Sequence, residues 1–279
     1  MTNSDTQVAV IGCGWLGFPL AKQLLQCGYP VCGTSRAENK LSQLSEAGID
    51  PVPLDIYTPQ TQSINTLKTC DTWIICIAAG RRNANFEQYV KAVYAMMDHA
   101  VASNTKHVIF VSTTSVYGNQ AGSVNEDTLV QPTTDSGKAH VLIENYLRTV
   151  MPDKYSIVRC AGLVDRERHP VRTLSKKGTL SAPTRPVNLI HKRDVIEALL
   201  ILVSKGPLKD GTFLLASPKH PTREDYYTWA AAQLSISPPA FLAASSVDEI
   251  DNKVIDAART FKRLGLSLRY ESPYEMLAE

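Results

Sequence analysis

The 279-residue chain has no long hydrophobic run, no Cys-x-x-Cys pair, no dominant charge and no clustered histidines. No stretch approaches the roughly 18 uncharged apolar residues that a membrane helix needs, so no membrane partner is expected. Lysine and arginine number 29 against 27 acidic residues, a net charge of +2, and no basic run concentrates it. Nucleic acid and anionic surfaces therefore have no electrostatic handle. The cysteines at 13, 27, 32, 70, 76 and 160 and the histidines at 99, 107, 140, 169, 191 and 220 lack metal-ligand spacing, so no metal site is expected. Several cysteines fall in strand-like apolar runs, where buried reduced thiols are the expectation. The first apolar run is short and leads straight into glycines. No secretory signal is expected from it, and the cytoplasm is the default compartment.

That same run is the most informative stretch present. Val8-Ala9-Val10-Ile11 passes directly into Gly12-Cys13-Gly14-Trp15-Leu16-Gly17, glycines at G-x-G-x-x-G spacing between a strand and a helix. The first glycine allows the tight turn, the second lets backbone approach a pyrophosphate, and the third lets the helix pack on the strand. The apolar pattern of Phe18–Leu25 continues as a helix, Gly28 ends it, and Val31-Cys32-Gly33-Thr34 supplies the next strand. Gly12, Gly14, Trp15, Leu16 and Gly17 are thus expected to hold a dinucleotide.

Apolar runs at Val8–Ile11, Pro30–Thr34, Val52–Leu54, Trp73–Ala78, His107–Ser112 and Ser156–Cys160 read as buried parallel strands. Amphipathic stretches such as Phe86–Ser103 and Ser136–Val150 lie between them. This alternation predicts an α/β chain: a Rossmann-type doubly wound parallel sheet, with ligands at the carboxyl ends of the strands. Residues 1–162 are expected to form the dinucleotide-binding domain. From about Gly162 the rhythm gives way to basic and proline-rich loops, a helix over Arg193–Ser204 and a strand at Thr212–Ala216. Residues 163–279 read mainly as a small C-terminal substrate lobe, with strand 212–216 returning to the sheet.

An NAD site normally carries an acidic residue at the end of the second strand. Here the segment is Gly33-Thr34-Ser35-Arg36. A guanidinium with hydroxyls beside it suits a 2′-phosphate, so NADP is favoured, with NAD the alternative. Asp55, just after the third strand, is placed to meet the adenine. Ala78 and Ala79, after the fourth, are small enough to let the cofactor pass close to the backbone.

Several further segments resemble the extended short-chain dehydrogenase/reductases, also called NAD-dependent epimerase/dehydratases. They are Phe110–Gly118, ending in V-Y-G, Val158–Leu163, Val187–His191 with Asp194-Val195, Ala216–Arg223 and Arg263-Leu264-Gly265. The likeness runs nearly the whole chain. Within the family the chain resembles the bacterial YeeZ-type subgroup, which shares the G-C/L-G-W-L-G turn and T-S-V-Y-G. The resemblance implies that Thr113 orients a substrate oxygen, and that a Tyr-x-x-x-Lys pair on the next helix moves the proton. It also implies a homodimer through the helices Phe86–Ser103 and Ser136–Val150.

The pair itself is missing. Glu144 matches the glutamate that relatives carry four residues after the lysine, which puts His140 at the lysine position and Ser136 at the tyrosine position. No tyrosine lies between Tyr117 and Tyr146. Three readings stand open: Ser136 with His140, one helical turn apart, shuttles the proton; Tyr117 or a residue of the second lobe supplies the acid; or the site binds cofactor without the family reaction. Arg81-Arg82, and Arg166, Arg168 and His169, would suit a small anionic or nucleotide-linked substrate if they line one cleft. The chain is therefore expected to be an NADP(H)-binding oxidoreductase-like protein acting on a carbonyl/hydroxyl group. The alternative is a non-catalytic dinucleotide-binding sensor.

Overall fold

A computed structural model describes residues 6–78, 80, 85–243 and 252–278. The first half alternates strand and helix: β1 (Val8–Ile11), α1 (Gly17–Gln26), β2 (Val31–Ser35), α2 (Glu38–Glu46), β3 (Asp50–Pro53), α3 (Thr61–Leu67), β4 (Thr72–Ile75), α4 (Phe86–Ala102) and β5 (His107–Thr113). Then follow β6 (Gly122–Val124), α5 (Asp135–Val150), β7 (Tyr155–Cys160), β8 (Gly162–Val164), the single turn α6 (Val171–Leu174) and β9 (Leu189–His191). The last elements are α7 (Lys192–Lys205), β10 (Thr212–Leu215), α8 (Arg223–Gln233), β11 (Lys253–Ile255) and α9 (Ala258–Leu264).

Seven strands form one sheet in the order β10-β7-β5-β4-β1-β2-β3. The chain starts at β1, steps outward through β2 to β3, then crosses back to β4. That reversal makes the switch point beside which α/β sheets hold ligands. The pairs β1/β2, β1/β4, β2/β3 and β4/β5 are parallel. The apolar runs of the sequence form β1 and β4 because these are covered on both faces, as their unbroken burial shows, whereas the edge strand β3 buries Val52 alone. The Rossmann-type sheet expected from the alternation is the one found, with β10 at its edge.

Contacts divide the chain into two units that interleave along the sequence. One takes the described residues of Met1–Ser112, Asp135–Val158 and Ala198–Thr212; the other takes those of Thr113–Thr134, Arg159–Glu197 and Phe213–Glu279. The core of the first unit gathers Ile11, Trp73, Tyr89, Met97, Phe110, Ile143 and Ile157 with their neighbours. The second has its own core of Val164, Leu189, Tyr226, Ala230, Tyr270 and Met276. It also contains two short parallel pairs, β8/β9 and β6/β11. Asn188 joins them, its amide donating to the Lys253 carbonyl at 2.8 Å and accepting from the Ile255 N–H at 2.8 Å. Cys13, Cys32, Cys70 and Cys160 are buried. No helix among the described residues is long and apolar enough to cross a membrane.

Asp194, in the first turn of α7, is buried and accepts the Arg269 N–H at 2.7 Å. Burial pushes its carboxyl up to about 6. Its protonated form therefore favours the fold fully below the usual carboxylate range, and that contribution is lost as pH rises through about 6. Buried His107 and His169, both lowered to about 4, act in the opposite sense, since stability is lost as pH falls through that value. A difference measurement separates them. Asp194→Asn should gain on the wild type between pH 4 and 7, by on the order of 2 kcal/mol. Paired thermal melts check this, and a difference that stays flat with pH contradicts it.

Candidate functional site

Two close approaches build the turn between β1 and α1. Gly12 has φ +100°, a region that other residues rarely adopt, and a Cβ there would meet Ile77 Cγ1 at 2.8 Å. Gly17 lies so near the Gly12 carbonyl that a Cβ would stand 2.2 Å from its oxygen. Gly14 is different: it is exposed, and a Cβ would meet nothing within 4 Å. β2 anchors the turn from the side. Thr34 Oγ1 accepts the Gly12 N–H at 2.9 Å, and the Thr34 carbonyl accepts that of Cys13 at 2.9 Å. The Gly14 N–H turns back to the Gly12 carbonyl at 2.8 Å.

Helix α1 begins without a capping side chain. In its first turn the Phe18 N–H donates to the Gly14 carbonyl at 3.0 Å and Pro19 has no N–H to give, so what the turn offers an anion is chiefly the positive end of the helix dipole. With open space over Gly14, this is what a pyrophosphate requires. The residues present fit a dinucleotide. Trp15 is half-buried and Leu16 buried at the same turn.

At the end of β2, Ser35 Oγ accepts the Ala37 N–H at 3.1 Å and starts the loop into α2. The Arg36 side chain is 68% exposed and lies 3.9 Å from the Asp55 carboxylate. Asp55 in turn accepts the Tyr57 N–H at 3.1 Å, which fixes its carboxylate in the loop after β3. Ala78 is exposed just beyond β4. Ala79, Arg81 and Arg82 lie outside the described residues.

Helix α5 presents Gly137, Ala139, His140, Ile143, Glu144 and Leu147 inward. His140 Nδ1 is 2.8 Å from the Ser136 carbonyl. A carbonyl only accepts, so Nδ1 carries the proton and Nε2 the lone pair. Burial against Tyr89 and Phe110 holds the imidazole below its usual range, so it is neutral at pH 7. Glu144 is 1% exposed and accepts the Ser112 hydroxyl at 2.6 Å, while Arg148 reaches its other oxygen at 3.3 Å. Ser136 is half-buried one turn before His140.

Thr113 and Tyr117 belong to the second unit. Thr113 caps the short turn Thr114–Tyr117, its Oγ1 accepting the Ser115 N–H at 3.1 Å. Tyr117 is fully buried, and its hydroxyl donates to the Asn125 carbonyl at 2.9 Å while accepting from Arg159 at 2.7 Å. That hydroxyl holds a loop in this conformation. Arg166 and Arg168 are exposed, but His169 is not part of a basic rim. It is buried with Nε2 2.8 Å from the Tyr226 hydroxyl, and burial, with Arg172 adding to it, keeps it uncharged at neutral pH. No metal-holding cluster of histidine, cysteine and carboxylate occurs among the described residues.

Sequence reasoning missed the Thr34 bond and the Arg36–Asp55 pair. The only signal for the first was a hydroxyl at a strand end, and for the second a β2/β3 register that sets Ser35 opposite Pro53.

Comparisons with known proteins agree with this geometry. Residues 12–204 match a family model described as NAD(P)H-binding. Protein YeeZ of Escherichia coli (strain K12) is 33% identical over 276 residues, covering 98% of this chain and 99% of that protein. Among solved structures, UDP-glucuronic acid 4-epimerase from Bacillus cereus in complex with NAD superposes with a TM-score of 0.80 at 18% identity, covering 97% of this chain and 96% of the epimerase. A conserved protein of unknown function from Silicibacter pomeroyi DSS gives 0.76 at 21% identity, covering 98% and 97%.

Two glycine substitutions separate binding from folding. Gly14→Ala should fold normally, because its Cβ meets nothing, yet lose affinity for the dinucleotide on the order of tenfold or more, because that Cβ enters the pyrophosphate space. Gly17→Ala should cost about 1–3 kcal/mol of stability, since its Cβ is forced onto a backbone oxygen. Thermal melts and nucleotide titration of both variants check the pair. With the glycine turn, the matching family model and a full-length relative in agreement, the chain belongs to the NAD(P)H-binding family and is a homologue of YeeZ.

Proposed function

We propose that the chain is an NADP(H)-dependent oxidoreductase of the extended short-chain type, acting on a carbonyl/hydroxyl group of a small metabolite. The observation that carries this is the uncapped glycine turn with a guanidinium, and no carboxylate, at the end of β2. Gly12, Gly14, Trp15, Leu16 and Gly17 would hold the pyrophosphate, and Ser35 and Arg36 the 2′-phosphate. Asp55 would meet the adenine, and Ala78 would flank the path of the cofactor. When bound, the nicotinamide exchanges a hydride with a substrate carbon.

The chain's own groups handle orientation and the proton. Thr113 orients the substrate oxygen. His140 takes a proton at Nε2, because its Nδ1–H is committed to the Ser136 carbonyl. Ser136, one turn away, offers a hydroxyl as the connecting group. A nucleotide-linked or anionic substrate is supported by exposed Arg166 and Arg168, and by solved structures of this fold described as UDP-sugar epimerases. Pairing of two copies through α4 and α5 belongs to the same reading; an apolar groove lined by Phe86, Val90, Tyr94 and Leu142 runs between these helices.

A second reading is a dinucleotide-binding regulatory protein without turnover. It is favoured by the bonds that occupy the Tyr117 hydroxyl and by the missing Tyr-x-x-x-Lys pair on α5.

Nicotinamide fluorescence should show saturable binding of NADPH, and Arg36→Asp should lower that affinity on the order of tenfold to a hundredfold while shifting preference toward NADH. If that variant leaves the preference where it was, the 2′-phosphate assignment is wrong. Against carbonyl and sugar-nucleotide panels with hydride readout, His140→Ala should cost about 10²–10⁴ in turnover, with Ser136→Ala and Thr113→Val also impaired. Turnover indifferent to all three removes the catalytic assignment. Saturable binding with no turnover across the panels favours the regulatory reading.

A further inference from the structure

Arg36 and Asp55 stand at the ends of neighbouring parallel strands. The register sets Ser35 opposite Pro53, and the Leu54 N–H donates to the Ser35 carbonyl at 3.0 Å, so the residues just beyond emerge side by side. Their anchoring differs. Asp55 is held at both ends of its residue: its Oδ1 accepts the Tyr57 N–H at 3.1 Å and its carbonyl accepts that of Thr58 at 3.2 Å. Its Oδ2 is the oxygen that faces Arg36 at 3.9 Å. Arg36 is a long arm, 68% exposed, on a loop. The carboxylate is bonded to its own loop, whereas the guanidinium projects into solvent.

We infer that Asp55 is a specificity-determining residue, which competes with the cofactor's 2′-phosphate for Arg36 and so sets the balance between NADP(H) and NAD(H). This rests on the assignment of Arg36 to the 2′-phosphate made above. A phosphorylated cofactor must draw Arg36 away from Asp55. A cofactor with a free 2′-hydroxyl need not, and the ion pair persists beside it. Asp55 therefore penalises one cofactor alone. Its contact with the adenine is common to both, and cancels in the ratio of their dissociation constants. The penalty is that of an exposed ion pair, about two- to fivefold in affinity.

The experiment is a double-mutant cycle on the full chain: wild type, Asp55→Asn, Arg36→Ala and the double variant, each titrated with NADPH and NADH. Asparagine keeps the side-chain oxygen that accepts the Tyr57 N–H, so the loop retains its geometry. The ratio of the NADH to the NADPH dissociation constant should rise about two- to fivefold in Asp55→Asn. In the Arg36→Ala background the same change should leave that ratio nearly unmoved. A ratio that does not rise in the single variant overturns the inference, as does an equal rise with Arg36 absent, which would indicate direct repulsion of the phosphate. If Arg36→Ala lowers the ratio while Asp55→Asn leaves it alone, the 2′-phosphate reading stands and the competition falls. If Arg36→Ala itself has no effect on the ratio, or neither nucleotide binds the wild type, both fall.

Discussion

Helix α1 can begin where it does only because Gly17 lets its backbone settle on the carbonyl of Gly12. That single approach fixes the angle between β1 and α1, and with it the direction in which the helix N-terminus points. Thr34 completes the constraint from the next strand by taking the Gly12 N–H, so β2 anchors the turn. Arg36, two residues beyond Thr34, inherits its position from the same arrangement. Both ends of the adenosine-side assignment, pyrophosphate and 2′-phosphate, thus hang on one backbone contact.

Helix α5 obeys a different logic. Ser136, His140, Glu144 and Arg148 recur every four residues and so share one stripe. Burying the Glu144 carboxylate is costly, and the Ser112 hydroxyl and the Arg148 guanidinium offset that cost by occupying its two oxygens. This glutamate has a sufficient structural reason to be where it is. It sits in place although the tyrosine and lysine positions before it hold Ser136 and His140. The seat of the helix and the chemistry displayed on it are therefore separable, and the presence of the first says nothing about the second.

The strands and the glycine turn were legible because local pattern encodes them. Two-face burial gives an unbroken apolar run, and a turn with φ +100° at Gly12 admits glycine. The chemistry of the site was legible only in part. That Arg36 faces Asp55 depends on the register of β2 against β3, which no single segment contains. His169 read as a basic rim residue because its neighbours in sequence are arginines, whereas its neighbour in space is Tyr226, 57 positions away. Tyr117 stood as one candidate for the acid because nothing nearby announced Arg159, 42 positions on, as a donor to its hydroxyl. Where function depends on which side chain a distant strand delivers, sequence spacing alone is silent.

The uncapped start of α1 has a consequence for how the protein endures. No side chain caps it and no acidic residue stands in its first turn, so the positive end of its dipole is left for a bound anion to complete. Whatever binds there binds the folded chain and not the unfolded one, so its concentration enters the folding equilibrium directly. A dinucleotide bound there would raise the stability of the chain with the logarithm of its concentration.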